Sequence, residues 1–121
     1  MIVIPVKTTN PNNGQTGNSR LASIIRANKR RSQRVCAKYN VLASKGVPPL
    51  PVTVTITRVA PSSGLDPHDG LGAALKAIID GVADALGLKN DRDARVTWVL
   101  AQRRGDPKKF FVEVTIEART C

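Results

Sequence analysis

The chain has 121 residues, a formal net charge of +10, and only one Trp, one Tyr and two Phe. That length suits a single domain over residues 1–121 with a modest core, and so few aromatics argue against a single-strand binder built on base stacking. The charge is unevenly spread: ten Lys or Arg and no acid precede Asp66, whereas nine acids meet nine bases from Asp66 onward. An excess confined to one half suits a polyanionic partner whose phosphates are neutralised by Lys and Arg.

No apolar run approaches the roughly 20 residues a membrane span needs, and the start MIVIPVKTTNP lacks the basic, apolar and cleavage regions of a secretion signal. Cys36 and Cys121 show no metal-binding spacing and read as reduced thiols. The expected compartment is the cytoplasm, with no membrane association.

In chain order, Ile2 to Lys7 is a short apolar run ending in a Thr/Asn/Pro/Gly cluster, which predicts a strand and then a polar loop. A helix follows from Asn18 or Ser19. Leu21, Ile24, Ile25, Val35, Tyr39 and Leu42 form its apolar stripe, broken by Asn28 and Ser32. Arg26, Arg30, Arg34 and Lys38 recur every fourth residue on another side, with Lys29 and Arg31 beside them. These six bases have no compensating acid on the helix, repel one another, and are the candidate DNA-backbone contacts.

Gly46 and the prolines of VPPLP end that helix. Residues Pro51 to Ala60 then alternate as a half-buried strand. Beyond the next helix, Ala94 to Gln102 and Phe110 to Ala118 read as two further strands joined by RRGDPKK, which predicts an antiparallel pair. The expected fold class is α+β: a mixed β-sheet with helices packed mainly on one face, in the order β-α-β-α-β-β.

The central stretch, Leu65 to Trp98, carries the best helical pattern and the first acids of the chain. Leu71, Ala74, Leu75, Ile78, Ile79, Val82, Ala85 and Leu86 recur at helical spacing, and Asp69, Lys76, Asp80 and Asp84 fall on the opposite face. Asp69 stands where an N-cap belongs, Gly87 where a left-handed C-terminal residue belongs. Asp66, His68 and Asp69 precede the helix; Asn90, Asp91 and Asp93 follow it.

Gathered carboxylates hold Mg²⁺ or Mn²⁺ through oxygen, which makes Asp66, Asp69 and Asp91 the candidate metal ligands, and a nearby lysine, Lys76, would stabilise charge on a phosphate. The plain reading of the same residues is a capping Asp69, turn residues Asp91 and Asp93, an exposed Lys76 paired with Asp80, and a loop histidine at His68. About 16 helical residues span roughly 24 Å, so the two acidic groups share a site only if the chain folds back after Gly87 or Leu65 to Asp69 lies alongside the helix.

With LDPHDGL, ALKAIIDGVADALGL and NDRDARVTW in sequence, the stretch resembles the RusA-like Holliday-junction resolvases of phages and prophages. The likeness covers the second half well and the first half loosely. In that family a D-x-D-N-L-type motif precedes a helix bearing a lysine and, four residues on, an aspartate; a D-D knot follows. The resemblance implies a small Mg²⁺-dependent homodimer, with Mn²⁺ able to substitute, that cuts branched DNA in recombination and repair.

By position, Asp66 and Asp69 correspond to the first motif, Lys76 and Asp80 to the helical pair, and Asp91 to the knot, with Asp93 as the alternative to Asp91. The resemblance thus makes Asp66, Asp69, Lys76 and Asp91 the catalytic set. The chain departs from the pattern at Pro67-His68, at Gly70 in place of Asn, and at Asn90 in place of Asp. The contrasting expectation is a non-catalytic basic DNA- or RNA-binding protein with a degenerate metal site. A dimer interface is expected on the strand Ile2 to Val6 or on Phe110 to Ala118.

Overall fold

A computed structural model of the chain describes residues 1–6, 20–61, 70–107 and 109–119. The elements are β1 (Ile2–Ile4), α1 (Arg20–Ala43), β2 (Val52–Ala60), α2 (Gly70–Ala85), β3 (Val96–Arg104) and β4 (Phe111–Ala118). Their order is the expected β-α-β-α-β-β, in one small α+β domain.

Period-two patterning builds the sheet. Val52, Val54 and Ile56 of β2 are fully buried, and the intervening Thr53, Thr55 and Thr57 look out from the opposite face. Val112 and Val114 of β4 and Ile4 of β1 join the same apolar layer, on which both helices lie. From α2 come Leu75, Ile78 and Val82, all fully buried; each contributes roughly 1.5–3 kcal/mol relative to exposure.

The strand order is β1-β4-β2-β3. β2 and β3 run parallel from Val52↔Val96 to Ala60↔Arg104, as a β-α-β unit through α2 requires. β4 is antiparallel to both β2 and β1. The expected hairpin between the last two strands is therefore not formed, because β2 lies between them.

The alternation along β2 explains this outcome: buried on the helix face along its length, β2 is suited to a central position with a neighbour on each edge. Beyond β3 the chain passes the end of β2 at Gly105 instead of turning tightly. Gly105 makes the crossing possible: its N–H donates to the Ala60 carbonyl at 2.9 Å, and a Cβ there would lie 2.6 Å from a Val59 methyl carbon. The expected interface strands are placed differently: β1 and β3 are the outer strands, and β4 is inner, paired to β2 along its length and to β1 from Val112 to Val114.

The helix pair holds a second correction. The apolar stripe expected to bury α1 is exposed: Leu21 66%, Tyr39 61%, Leu42 54%, with Ile24, Ile25 and Val35 near one half. Gln33, Ala37 and Val41 are buried instead. Close approach decides this. A Cβ on Gly81 of α2 would lie 2.3 Å from the Arg34 carbonyl oxygen and 2.8 Å from Ala37 Cβ, so the helices cross where both side chains are smallest. The larger side chains of the stripe would hold the helix axes farther apart.

Candidate active site

α2 ends in a turn that aims the following chain back along it. Gly87 has φ +77°, Leu88 N–H donates to the Ala83 carbonyl at 2.9 Å and Gly87 N–H to the Asp84 carbonyl at 3.1 Å. These are the paired bonds of a glycine C-terminal motif, and buried Leu88 and Ala83 supply its apolar contact. The loop beyond is braced locally: Asn90 Oδ1 accepts the Arg92 N–H at 2.9 Å, and the Trp98 indole N–H donates to the Asp91 carbonyl at 2.8 Å. Trp98 ties the loop to the sheet.

The result brings Asp91 to Lys76. Lys76 Nζ lies 2.8 Å from Asp91 Oδ2 and 3.2 Å from Asp80 Oδ1, the latter one turn along α2. From Gly70 to Lys76 the axial rise is roughly 9 Å, so the fold-back carries the second acidic knot well inside the 24 Å set by helix length. Lys76 is about half exposed and both carboxylates are about one quarter exposed, so the cluster opens on solvent.

Protonation follows from those contacts. The hydrogen bond from Lys76 holds the Asp91 carboxyl below the usual carboxylate range, and the bond to Asp91, with Asp80 adding to it, raises the Lys76 ammonium above the usual lysine range. Asp93, the alternative to Asp91, is engaged elsewhere. Its Oδ1 accepts the Arg95 N–H at 2.9 Å and its Oδ2 the Arg95 guanidinium at 2.8 Å, which together lower its pKa to about 2.

The charged row continues along α2 to α1. Asp84, one turn beyond Asp80, takes a bidentate pair from Arg34, Nε–Oδ2 2.7 Å and a terminal nitrogen to Oδ1 2.9 Å. That pair raises the Arg34 guanidinium, and the Asp80 charge acts on Arg34 as well. Arg34 is thus a helix-to-helix clasp as well as a candidate phosphate contact. Lys29, Arg30 and Arg31 are exposed, and Lys38 is half-buried.

Asp66, His68 and Asp69 lie outside the described residues, as does the side chain of Arg26. Among the described residues no group of three or more His, Cys, Asp or Glu is placed to hold a metal ion. Asp80 and Asp91 nevertheless direct hard oxygen donors at one cationic atom, Lys76 Nζ. That donor chemistry fits Mg²⁺ or Mn²⁺ as it fits an ammonium.

Three features have no signal in the sequence pattern. The strand pattern accounts for Trp98 only as a strand residue, whereas its indole anchors the loop at Asp91. The Arg34–Asp84 clasp spans 50 residues and has no local signature. Arg58, buried near the C-terminal end of β2, has its guanidinium pKa lowered by burial. No helix among the described residues is long and apolar enough to cross a membrane. No family model, curated protein or solved structure matches this chain.

Proposed function

We propose that this chain is a Mg²⁺-dependent, structure-selective endodeoxyribonuclease that resolves Holliday junctions, acting as a cytoplasmic homodimer in DNA recombination and repair. The observation that carries the reading is the convergence of Lys76, Asp80 and Asp91, from a helix and the fold-back after it, in a chain of net charge +10.

Asp91, with Asp80 beside it and Asp66 and Asp69 from the sequence before α2, would hold the divalent cation. When bound, such a cation supplies Lewis-acid polarisation of the scissile phosphodiester. Lys76 is held charged and, once a phosphate competes for it, donates to the oxygen on which negative charge develops. The bases of α1 approach the same row through Arg34, so a backbone lying along Lys29, Arg30 and Arg31 is led toward Lys76.

Cleavage of a synthetic four-way junction with Mg²⁺ or Mn²⁺ tests this. The expected result is symmetric nicking that falls at least ~100-fold in Asp91→Asn and in Lys76→Met, while junction binding persists. A protein that binds junctions and leaves them intact refutes the enzymatic reading. The closed Lys76 triad favours one other reading, a non-catalytic nucleic-acid binder in which the lysine permanently neutralises a degenerate metal site. Calorimetry distinguishes them: Mn²⁺ binding lost in Asp91→Asn belongs to the nuclease, and none in the parent belongs to the passive binder.

A further inference from the structure

Among the described residues, only the second half of α1 is covered. From Leu21 to Ser32 every side chain described is exposed, and burial begins at Gln33. About three helical turns therefore stand without tertiary cover among the described residues, and a segment that short is marginal as an isolated helix in water. No acid lies in its first turn to favour the dipole, and the helix carries no acidic residue at all. Its apolar residues nonetheless continue in phase with those of the supported half.

The spacing is specific. Leu21, Ile25, Asn28, Ser32, Val35, Tyr39 and Leu42 follow alternating steps of four and three residues, the 3.5-residue repeat of a coiled-coil seam. At 100° per residue the seam lies opposite Ala37, the residue that meets Gly81. None of its apolar members belongs to the core cluster or packs against it.

The seam is also nearly symmetric about Ser32. In an antiparallel pair of such helices Leu21 meets Leu42, Ile25 meets Tyr39, Asn28 meets Val35, and the small Ser32 meets its own copy at the two-fold axis. Self-complementarity of this kind is what an isologous dimer requires. Leu21, Ile24, Ile25, Val35, Tyr39 and Leu42, each 46–66% exposed, present on the order of several hundred Å², against about 800 Å² per partner in a standard interface.

We propose that the outward seam of α1 is the surface on which a second copy of this chain docks, antiparallel, with the two-fold axis at Ser32. The inference rests on the proposed function only for the expectation of a homodimer, and it locates the interface away from the strand edges. Lys29 on one flank of the seam and Arg31 and Lys38 on the other face like charges of the second copy. Association is therefore opposed electrostatically at low ionic strength and tightens with salt. DNA binding, which releases counterions, weakens with salt.

Sedimentation velocity of the full chain without DNA or metal tests the proposal. Dimerisation at micromolar concentration is expected, at least several-fold tighter at ~0.5 M than at ~0.05 M NaCl. The exposed double substitution Ile25→Gln/Tyr39→Gln should weaken it at least tenfold, with an unchanged melting curve at concentrations where both proteins are monomeric. With Cys36 and Cys121 replaced by Ser, Ser32→Cys should oxidise to a disulfide-linked dimer and the exposed Arg30→Cys should not.

A monomer under all these conditions, a dimer indifferent to the double substitution, or equal crosslinking at both positions overturns the proposal. Because no arm measures cleavage, a catalytically silent dimer and an active protein that pairs through another surface give different results.

Discussion

α1 and α2 lie side by side on one face of the same sheet and solve the burial problem in opposite ways. α2 buries its large residues, Leu75, Ile78 and Val82, and turns its charged row outward. α1 buries a small-residue face around Ala37 and leaves its large apolar residues exposed. Apolar periodicity finds a helix in both, but the buried face of α1 is decided by how closely the partner helix can approach. Gly81 gives α2 a flat place for α1 to rest.

The largest effects should separate the two helices by their leucines. Leu75→Ala removes a fully buried side chain and should cost about 2–5 kcal/mol in urea unfolding. Leu42→Ala, at 54% exposure on the seam, should stay within about 0.5 kcal/mol of the parent at concentrations where the chain is monomeric. Comparable losses would mean that the α1 seam is packed within its own chain.

A smaller effect tests the contact that sets the comparison. Gly81→Ala adds a methyl group where Arg34 and Ala37 leave no space, and should destabilise by about 1–3 kcal/mol despite better helix propensity. Gly72→Ala, on the same helix with nothing within 4 Å of the added carbon, should stabilise by about 0.5–1 kcal/mol. Opposite signs on one helix isolate the crossing point.

The smallest effect is electrostatic. Asp91 has a lowered folded pKa, so its pairing with Lys76 is fully present above the ordinary aspartate pKa near 3.8 and is lost as pH falls through the folded value. Lys76 has a raised pKa, so its contribution is complete below about 10.5 and fades as pH rises through the folded value. Asp91→Asn should flatten both limbs of a stability–pH curve, by no more than about 1 kcal/mol because the pair is partly exposed. An unchanged acid limb would detach Asp91 from Lys76.

What the sequence disclosed follows the range of the interactions involved. Strand alternation, the α2 stripe and Gly87 act over a few residues, and they locate every element described to within a few positions. A fold-back after Gly87 is one of the two conditions under which the acidic groups on either side of α2 could share a site; the chain does fold back there, and it brings Asp91 to Lys76, a meeting that the sequence does not show. What stayed hidden depends on contacts far apart in the chain: Gly81 with Arg34 and Ala37, Arg34 with Asp84, and the crossing of β2 at Gly105. Asp66 and Asp69 rest on their place in the motif, outside the described residues.

The place of β4 carries a consequence for how the molecule is assembled. β4 occupies an inner position and supplies the only partner of β1 among the described residues, joining Ile2 to Val114 and Ile4 to Val112. Until Phe111 to Ala118 leaves the ribosome, the chain can form the parallel β2–β3 pair with α2 and no more of the sheet. The sheet is therefore closed only when β4 joins it, through contacts as distant in sequence as Ile2 and Val114, an arrangement whose loop-closure entropy favours slow, all-or-none folding.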